Sequence, residues 1–172
     1  DFGFTEGYKK TSAAKPSGDK SHYFLDFVKN FTGKNGSSNN LQLSLQEVSN
    51  DKYLKLYKID TNLINHEVDI LENSLAFTRE DDDFFFGFNA TVYETLKDGY
   101  NDKYEYVLPD IIVNKNLFSN AKFGNANYES NLNIHNYDTN KFANFLVNDI
   151  NWNSKEFAFD NGINSKLIGK LR

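Results

Sequence analysis

The side chains best suited to chemistry in this chain are a run of acids, Glu80-Asp81-Asp82-Asp83, and three histidines. Carboxylate oxygens are the ligands that Ca²⁺ prefers, but an acidic run between two strand-like segments is typical of a solvated turn. His22, His66 and His135 lie far apart in the sequence and form no zinc-binding spacing. The sequence therefore predicts no metal site.

Catalytic motifs are also missing from the sequence. It contains no nucleophile elbow, no P-loop, no dinucleotide-binding glycine pattern and no cysteine. Two of the 24 acidic residues could meet in the fold as a glycosidase pair, but any sequence this rich in acids permits that. We therefore predict no catalytic residue and no cofactor, and we expect a protein that is not an enzyme.

Composition limits the class of protein. The 172 residues carry a net charge of −5 without a basic stripe, which argues against a nucleic-acid-binding protein. No apolar run approaches the roughly 18 to 20 residues of a spanning helix. Aromatic residues reach 16% and prolines number only 2, which favours β-strands. Strands with one apolar face occur in β-sandwiches and in transmembrane β-barrels, whose alternation cancels in any hydropathy average.

Alternation of apolar and polar residues locates the strands. In residues 41–46, leucines alternate with polar side chains, which a strand would place on opposite faces. The pattern predicts an all-β fold, an antiparallel up-and-down meander of about nine strands with no convincing helix. The predicted strands are 23–31, 41–46, 53–59, 71–78, 84–93, 103–113, 126–137, 141–152 and 155–160. The strands 41–46 and 53–59 are expected to form a hairpin.

Two features test this meander. Pro109 cannot donate a backbone hydrogen bond, so it predicts a bulge or a break in strand pairing. Barrels place short turns at one end and long loops at the other. The predicted strands put 60–68 and 96–102 at the end of the long loops. They place the long 11–20 segment among the short turns, which this rule does not explain.

Successive side chains along a strand point to opposite faces, so alternate residues can be assigned to two faces of the sheet. In a barrel the polar face would line a hydrated lumen, and we assign to it Gln42, Ser44, Gln46, Glu72, Asn89, Thr91, Asn131 and Asn133. The apolar face would contact lipid, and we assign to it Leu41, Leu43, Leu45, Leu75, Phe77, Phe84, Phe86, Phe88, Leu132 and Ile134. A sandwich with a dry core also needs one apolar face, so the pattern leaves both architectures open.

A further indication comes from several stretches taken together: 48–54 (Val-Ser-Asn-Asp-Lys-Tyr-Leu), 71–94, 106–111 (Tyr-Val-Leu-Pro-Asp-Ile), 136–140 and 148–152. Their order across most of residues 20–172 resembles the barrel domain of the LptD family of lipopolysaccharide-assembly proteins, also called organic solvent tolerance proteins. The likeness is to α-proteobacterial sequences. It rests on collinearity, and its most specific parts are the 48–53 turn and the Leu-Pro-x-Ile strand beyond it.

The resemblance implies that residues 1–172 form a partial β-barrel domain, an open sheet from the N-terminal half of a large barrel without its jellyroll. The chain opens on Asp1 rather than Met, which also leads us to expect a piece of a longer protein. The implied location is the Gram-negative outer membrane. The implied partners are lipopolysaccharide, membrane lipid, a lipoprotein plug and a periplasmic bridge protein. The alternative is a soluble secreted β-sandwich, such as a glycan-binding or adhesin module.

Overall fold

The computed structural model of the chain describes residues 2–5, 20–97, 103–137 and 141–172. Its elements are β1 Phe2–Thr5, β2 Lys20–Thr32, β3 Ser38–Val48, α1 Tyr53–Tyr57, β4 Ile70–Asp81, β5 Phe84–Thr95, β6 Tyr104–Asn120, β7 Gly124–Tyr137, β8 Lys141–Asn153, β9 Phe157–Ala158, β10 Asn164–Ser165 and β11 Ile168–Leu171. No helix within these ranges has the length and apolar character needed to cross a membrane.

The strands form one open antiparallel sheet. β1 to β8 pair consecutively in chain order, and β11 pairs with β8 as the ninth strand of the sheet. β9 and β10 form a separate two-stranded hairpin. β1 and β11 are the two edges, so the sheet is not closed within the described residues. The predicted all-β, antiparallel up-and-down meander is confirmed, whereas its place in a larger barrel stays a prediction.

The prediction of a strand over 53–59 is wrong, because these residues form α1 and the turn after it. Tyr53 and Leu54 are adjacent and both buried, which a strand cannot achieve on one face but a helix can. Lys58 ends the helix in the left-handed conformation, with φ of 49°. A short apolar run does not distinguish a strand from a helix by its pattern. The predicted hairpin is therefore wrong too, and β3 pairs with β2 and β4.

Most of the other predicted strands correspond to observed ones. Seven of them lie in or nearly coincide with β2 to β8, while only β9 falls within 155–160. The interruption expected at Pro109 is confirmed, since the β6–β7 register shifts between Val107 and Asp110. The pairing of β6 with β5 shifts at the same place, between Asn89, which is opposite Asp110, and Thr91, which is opposite Val107.

A small hydrophobic core lies where β3 and β4 separate. Its buried members are Phe24, Tyr53, Leu54, Ile64, Leu71 and Leu96, and Val48, Ile59 and Val68 pack against them. Pairing between β3 and β4 ends at Ser44 and Ser74. Beyond that pair, the Asn73 side chain accepts from the Gln46 amide at 2.7 Å and donates to the Gln46 carbonyl at 3.0 Å. The side chain of Asn73 thus continues the backbone ladder for one more residue before the 49–69 segment contributes to the core.

Because 53–59 is not a strand, the chain reverses direction once less before β4 than predicted. Each later connection therefore lies at the opposite end of the sheet from the one predicted. One end of the sheet carries the connections 6–19, 49–69, 96–103 and 138–140, and the other carries 33–37, 82–83, 121–123 and 154–167. We call these the helix end and the turn end. The long 11–20 segment, of which 11–19 lie outside the described residues, now falls with the other long connections. The loop-length rule holds for the first six connections and reverses for the last two.

Candidate functional site

The two faces of the sheet are the candidate functional surfaces. Residues directly opposite each other in an antiparallel pair point to the same side of the sheet. Followed from β2 to β8, the register places all eight predicted polar-face residues on one side and all ten predicted apolar-face residues on the other. We keep the names polar face and apolar face for these sides. Their contact with water or lipid stays a prediction.

A continuous row of apolar side chains crosses the apolar face. Its members, each directly opposite the next, are Leu41, Phe77, Phe88, Ile111, Leu132 and Leu146. Beside or within this row, Phe27 is 44% exposed, Leu75 41% and Leu146 60%. The described strands make extensive contacts only with their paired neighbours, so no second layer of these residues covers the row.

Charged residues interrupt the apolar face mainly near the turn end. Arg79 and Asp81 lie 3.5 Å apart there, and the Lys115 ammonium is 3.1 Å from the Asp83 carboxylate. Lys29 lies at the β2 end of the apolar row. The long stem of a lysine can cover apolar surface while its ammonium reaches water. Glu47 and Glu94 lie on the same face near the helix end, so its charges lie towards both ends and the middle of the face from β3 to β7 is mostly apolar.

Aromatic residues border the apolar face at both ends. Near the helix end they are Tyr23, Tyr104 and Tyr106, and near the turn end they are Phe84, Tyr128 and Trp152. The Trp152 indole donates to the Phe123 carbonyl at 2.9 Å. The Tyr128 hydroxyl donates at 2.7 Å to Asn148, whose side chain β8 places on the apolar face. Rings with a polar tip favour the boundary between an apolar region and water.

Hydrogen bonds connect neighbouring strands on the polar face. The Ser44 hydroxyl donates to the Asp26 carboxylate at 2.7 Å, and His135 Nε2 lies 2.6 Å from Glu105 Oε1. Thr91 is almost fully buried on this face and donates to the Asn89 side chain at 3.3 Å. Two of these contacts join neighbouring strands, and the third lies within β5.

A shallow depression of about 460 Å³ lies on the polar face beside β11. Its lining residues are Ile112, Asn114, Glu129, Ser130, Asn131, Phe145, Val147, Asp149 and Arg172. Arg172 donates from Nε and Nη2 to the two Asp149 oxygens, both at 2.9 Å. Alternation did not indicate this ion pair, because Arg172 lies beyond the last strand and meets Asp149 only through the β8–β11 pairing.

The acidic run singled out in the sequence is divided between a strand and a turn, because Glu80 and Asp81 are the last two residues of β4. Asp82 and Asp83 connect β4 to β5, and Asp83 contacts Lys115. In the ranges that the structure describes, no three His, Cys, Asp or Glu side chains are grouped so that they could hold a metal ion.

The histidines contact different partners rather than one another. His22 stacks on Phe24 with ring centroids 4.9 Å apart, and His66 Nδ1 lies 2.7 Å from Asp60, while His135 lies on the polar face. The His66 backbone amide and ring both lower the pKa of the Asp60 carboxyl. These contacts order local structure and do not converge on a site.

An ion-pair network joins the connections at the helix end. Lys103 Nζ lies 2.8 Å from Asp51 and 2.7 Å from Glu94. Hydrogen bonds to Asp51 and to Glu94 raise the pKa of the Lys103 ammonium above its ordinary value. The sequence pattern did not identify this lysine, because its partners meet only after 49–69 folds back over the sheet.

Comparison of the chain with models of protein families, with curated proteins and with solved structures finds no match. Function is therefore inferred from the two faces of the sheet and from the resemblance in sequence.

Proposed function

We propose that this chain forms part of the wall of an outer-membrane β-barrel that passes lipopolysaccharide to the outer leaflet. The observation that carries the proposal is the apolar row from Leu41 to Leu146, which no other layer of the described part of the chain covers. In water such a row has to be buried against a second layer, because exposed apolar surface is unfavourable. In a bilayer, lipid covers it, and the polar face then lines a hydrated interior.

The dimensions of the strands support this proposal. β2 to β8 contain 11 to 17 residues, and a transmembrane strand needs about 9 to 11. On β5, the apolar face from Phe84 to Val92 extends about 27 Å along the strand at about 3.4 Å per residue. A tilt of about 40° reduces this to about 20 Å, close to the apolar band of about 25 Å in outer-membrane barrels.

The remaining parts of the proposal rest on the sequence resemblance. They are the identity of the cargo, a lipoprotein plug in the lumen, a periplasmic bridge protein and the outer-membrane location. The role is passage of a molecule rather than bond making, so no residue is assigned to catalysis. In such a wall, the edge strands β1 and β11 would pair with further barrel strands, because a sheet in lipid must satisfy its backbone groups.

Two substitutions on one strand test the proposal. Phe88→Arg places a cation in the middle of the apolar row, and Asn89→Arg places it one residue away on the polar face, opposite Asp110. In lipid vesicles we expect Phe88→Arg to lower the free energy of unfolding by about 2 to 4 kcal/mol and Asn89→Arg by less than about 1 kcal/mol. Urea unfolding followed by far-UV circular dichroism measures both.

Equal losses for the two variants in vesicles would contradict the assignment of the faces. The sandwich alternative predicts a different pattern, in which the unsubstituted chain folds cooperatively without lipid and Phe88→Arg destabilises it in plain buffer. The comparison between buffer and vesicles therefore separates a lipid-covered face from a protein-covered one.

A further inference from the structure

The hairpin formed by β9 and β10 carries exposed apolar side chains. Phe157 is 38% exposed, Phe159 56% and Ile163 58%. Phe157 and Phe159 alternate with Ala158, and the register that pairs Ala158 with Asn164 places Ile163 opposite Phe159. The Phe159 amide donates to the Ile163 carbonyl at 2.8 Å. The three apolar side chains therefore share one side of the hairpin, and we call them the hairpin patch.

No other described part of the chain covers the hairpin patch. β9 and β10 make extensive contacts only with each other, and they lie outside the nine-stranded sheet. A further barrel strand would pair with the edge strand β11 and not with this hairpin. A contiguous exposed apolar patch with a polar rim is typical of an interaction site. The hairpin patch is therefore a candidate surface for a partner other than a further strand.

Lysines flank the hairpin patch. The Lys155 ammonium lies 5.2 Å from the centroid of the Phe157 ring. In the neighbouring connection 121–123, the Lys122 ammonium lies 5.3 Å from the centroid of the Phe123 ring. Lys166 directly follows β10. Within the described residues none of these three lysines forms a salt bridge, so their charges are available to an anionic partner.

The hairpin lies in a segment whose charge differs from that of the chain as a whole. Residues 154–172 contain four cations, Lys155, Lys166, Lys170 and Arg172, and two acids, Glu156 and Asp160, whereas the whole chain has a net charge of −5. Arg172 is paired with Asp149 of β8, which leaves three lysines and two acids. With Lys122 of the neighbouring connection, the surroundings of the hairpin contain four lysines and two acids. This part of the molecule therefore favours an anionic partner.

The position of the hairpin suits the boundary of a bilayer. It follows β8 at the turn end, where Trp152 borders the apolar face and its indole donates to the Phe123 carbonyl at 2.9 Å. At such a boundary, aromatic rings enter the edge of the acyl region while lysine stems extend to the headgroups. Anionic lipid attracts each nearby lysine by about fivefold in binding. A headgroup layer therefore complements both the apolar side chains and the lysines.

We propose that the β9–β10 hairpin docks on the headgroup layer of an anionic bilayer. The hairpin patch enters the acyl boundary, and Lys155 and Lys166 contact the lipid phosphates. The hairpin thereby anchors the turn end of the sheet beside its edge strand β11. The inference rests on the proposed function in one respect, that the apolar face of the sheet contacts lipid.

Two adjacent residues of β10 allow a matched test, because the chain has no cysteine of its own. Ser165 is opposite Phe157 and shares the side of the hairpin patch, whereas Asn164 belongs to the other side. A fluorophore is attached at Ser165→Cys or at Asn164→Cys. The full chain is refolded in vesicles of phosphatidylcholine alone or of an equal mixture with phosphatidylglycerol. Lipids brominated near the headgroup quench a label that reaches this depth.

In the anionic mixture we expect these lipids to quench the label at 165 and to leave the label at 164 largely unquenched. Lys155→Gln and Lys166→Gln should each lower the ratio of docked to undocked hairpin about fivefold in this mixture and change it little in phosphatidylcholine. Lys141→Gln, at the helix end, is the matched control and should leave the ratio unchanged. Because the hairpin lies outside the sheet, far-UV circular dichroism should show the same strand signal for every variant.

Equal lipid quenching at 164 and 165 overturns the inference. Quenching at 165 that depends neither on phosphatidylglycerol nor on the two lysines also overturns it. A label at 165 that is shielded from aqueous acrylamide without being quenched by lipid would show that protein covers the hairpin patch, which again contradicts docking on a bilayer.

A third label separates this inference from the proposed function. Leu132→Cys lies in the apolar row of the sheet, opposite Ile111 and Leu146. If the apolar face contacts lipid, lipids brominated along their chains quench this label. No quenching at 132 overturns the proposed function. Quenching at 132 together with equal quenching at 164 and 165 overturns the docking of the hairpin alone.

Discussion

At the scale of single residues, two glycines show how the turns depend on side-chain size. Gly124 begins β7 with φ of 88°, and a Cβ atom there would lie 1.9 Å from the Asn153 carbonyl oxygen. Gly36, between β2 and β3, has φ of 81° but nothing within 4 Å of a Cβ atom. Both positions favour glycine through backbone conformation, and only Gly124 also requires it for space.

Alanine substitutions should therefore differ in cost. Gly36→Ala is expected to lower the free energy of unfolding by about 1 to 2 kcal/mol, the cost of a left-handed conformation. Gly124→Ala should cost clearly more, because the β8 backbone must also move. Urea midpoints of the two variants in vesicles measure the difference, and equal midpoints would show that β7 and β8 do not approach as closely as described.

The sequence predicted well which residues share a side of the sheet, whereas what each side contacts stays a prediction. Alternation is a local property with a period of two, so Gln42 and Leu43 could be assigned to opposite faces without knowledge of their partners. The roles of Asn73 and Lys103 could not be predicted in this way. They depend on where β3 and β4 separate and on how 49–69 folds back, and both are long-range properties.

At the scale of elements, α1 shows how one error spreads. The run 53–59 is a short, mostly apolar segment after turn-forming residues, which predicted a strand, and burial of the adjacent Tyr53 and Leu54 is visible only in the fold. Because each strand reverses the chain, one false strand exchanges the ends of all later connections. With α1 in place, the turn end carries the short connections 33–37, 82–83 and 121–123, and in the proposed barrel it would face the periplasm.

Two leucines distinguish the helix from the strand. Leu54 is 1% exposed and Leu56 is 68% exposed, although residues two apart would share a face in a strand. We expect Leu54→Ala to cost about 2 to 5 kcal/mol of folding free energy. Leu56→Ala should change stability by less than about 0.5 kcal/mol. Urea unfolding measures both, and similar losses would favour a strand over 53–59 instead of α1.

At the scale of the whole molecule, the sheet has a polar face and an apolar face that no second layer of the described residues covers. The sequence predicted the antiparallel meander because long alternating segments and turn residues are local signals. It could not predict what covers the apolar row from Leu41 to Leu146, since a sandwich and a barrel impose the same alternation. Whether lipid or protein covers this row therefore distinguishes the barrel from the sandwich.

The most direct test is to refold the chain from urea with and without lipid vesicles or detergent micelles. Far-UV circular dichroism and hydrodynamic size would be measured in each condition. A lipid-facing wall predicts strand signal in a single species only when lipid or detergent is present, with aggregation in plain buffer. A monodisperse monomer that unfolds cooperatively in plain buffer would contradict this account, because its apolar residues would then be covered by protein within one soluble domain.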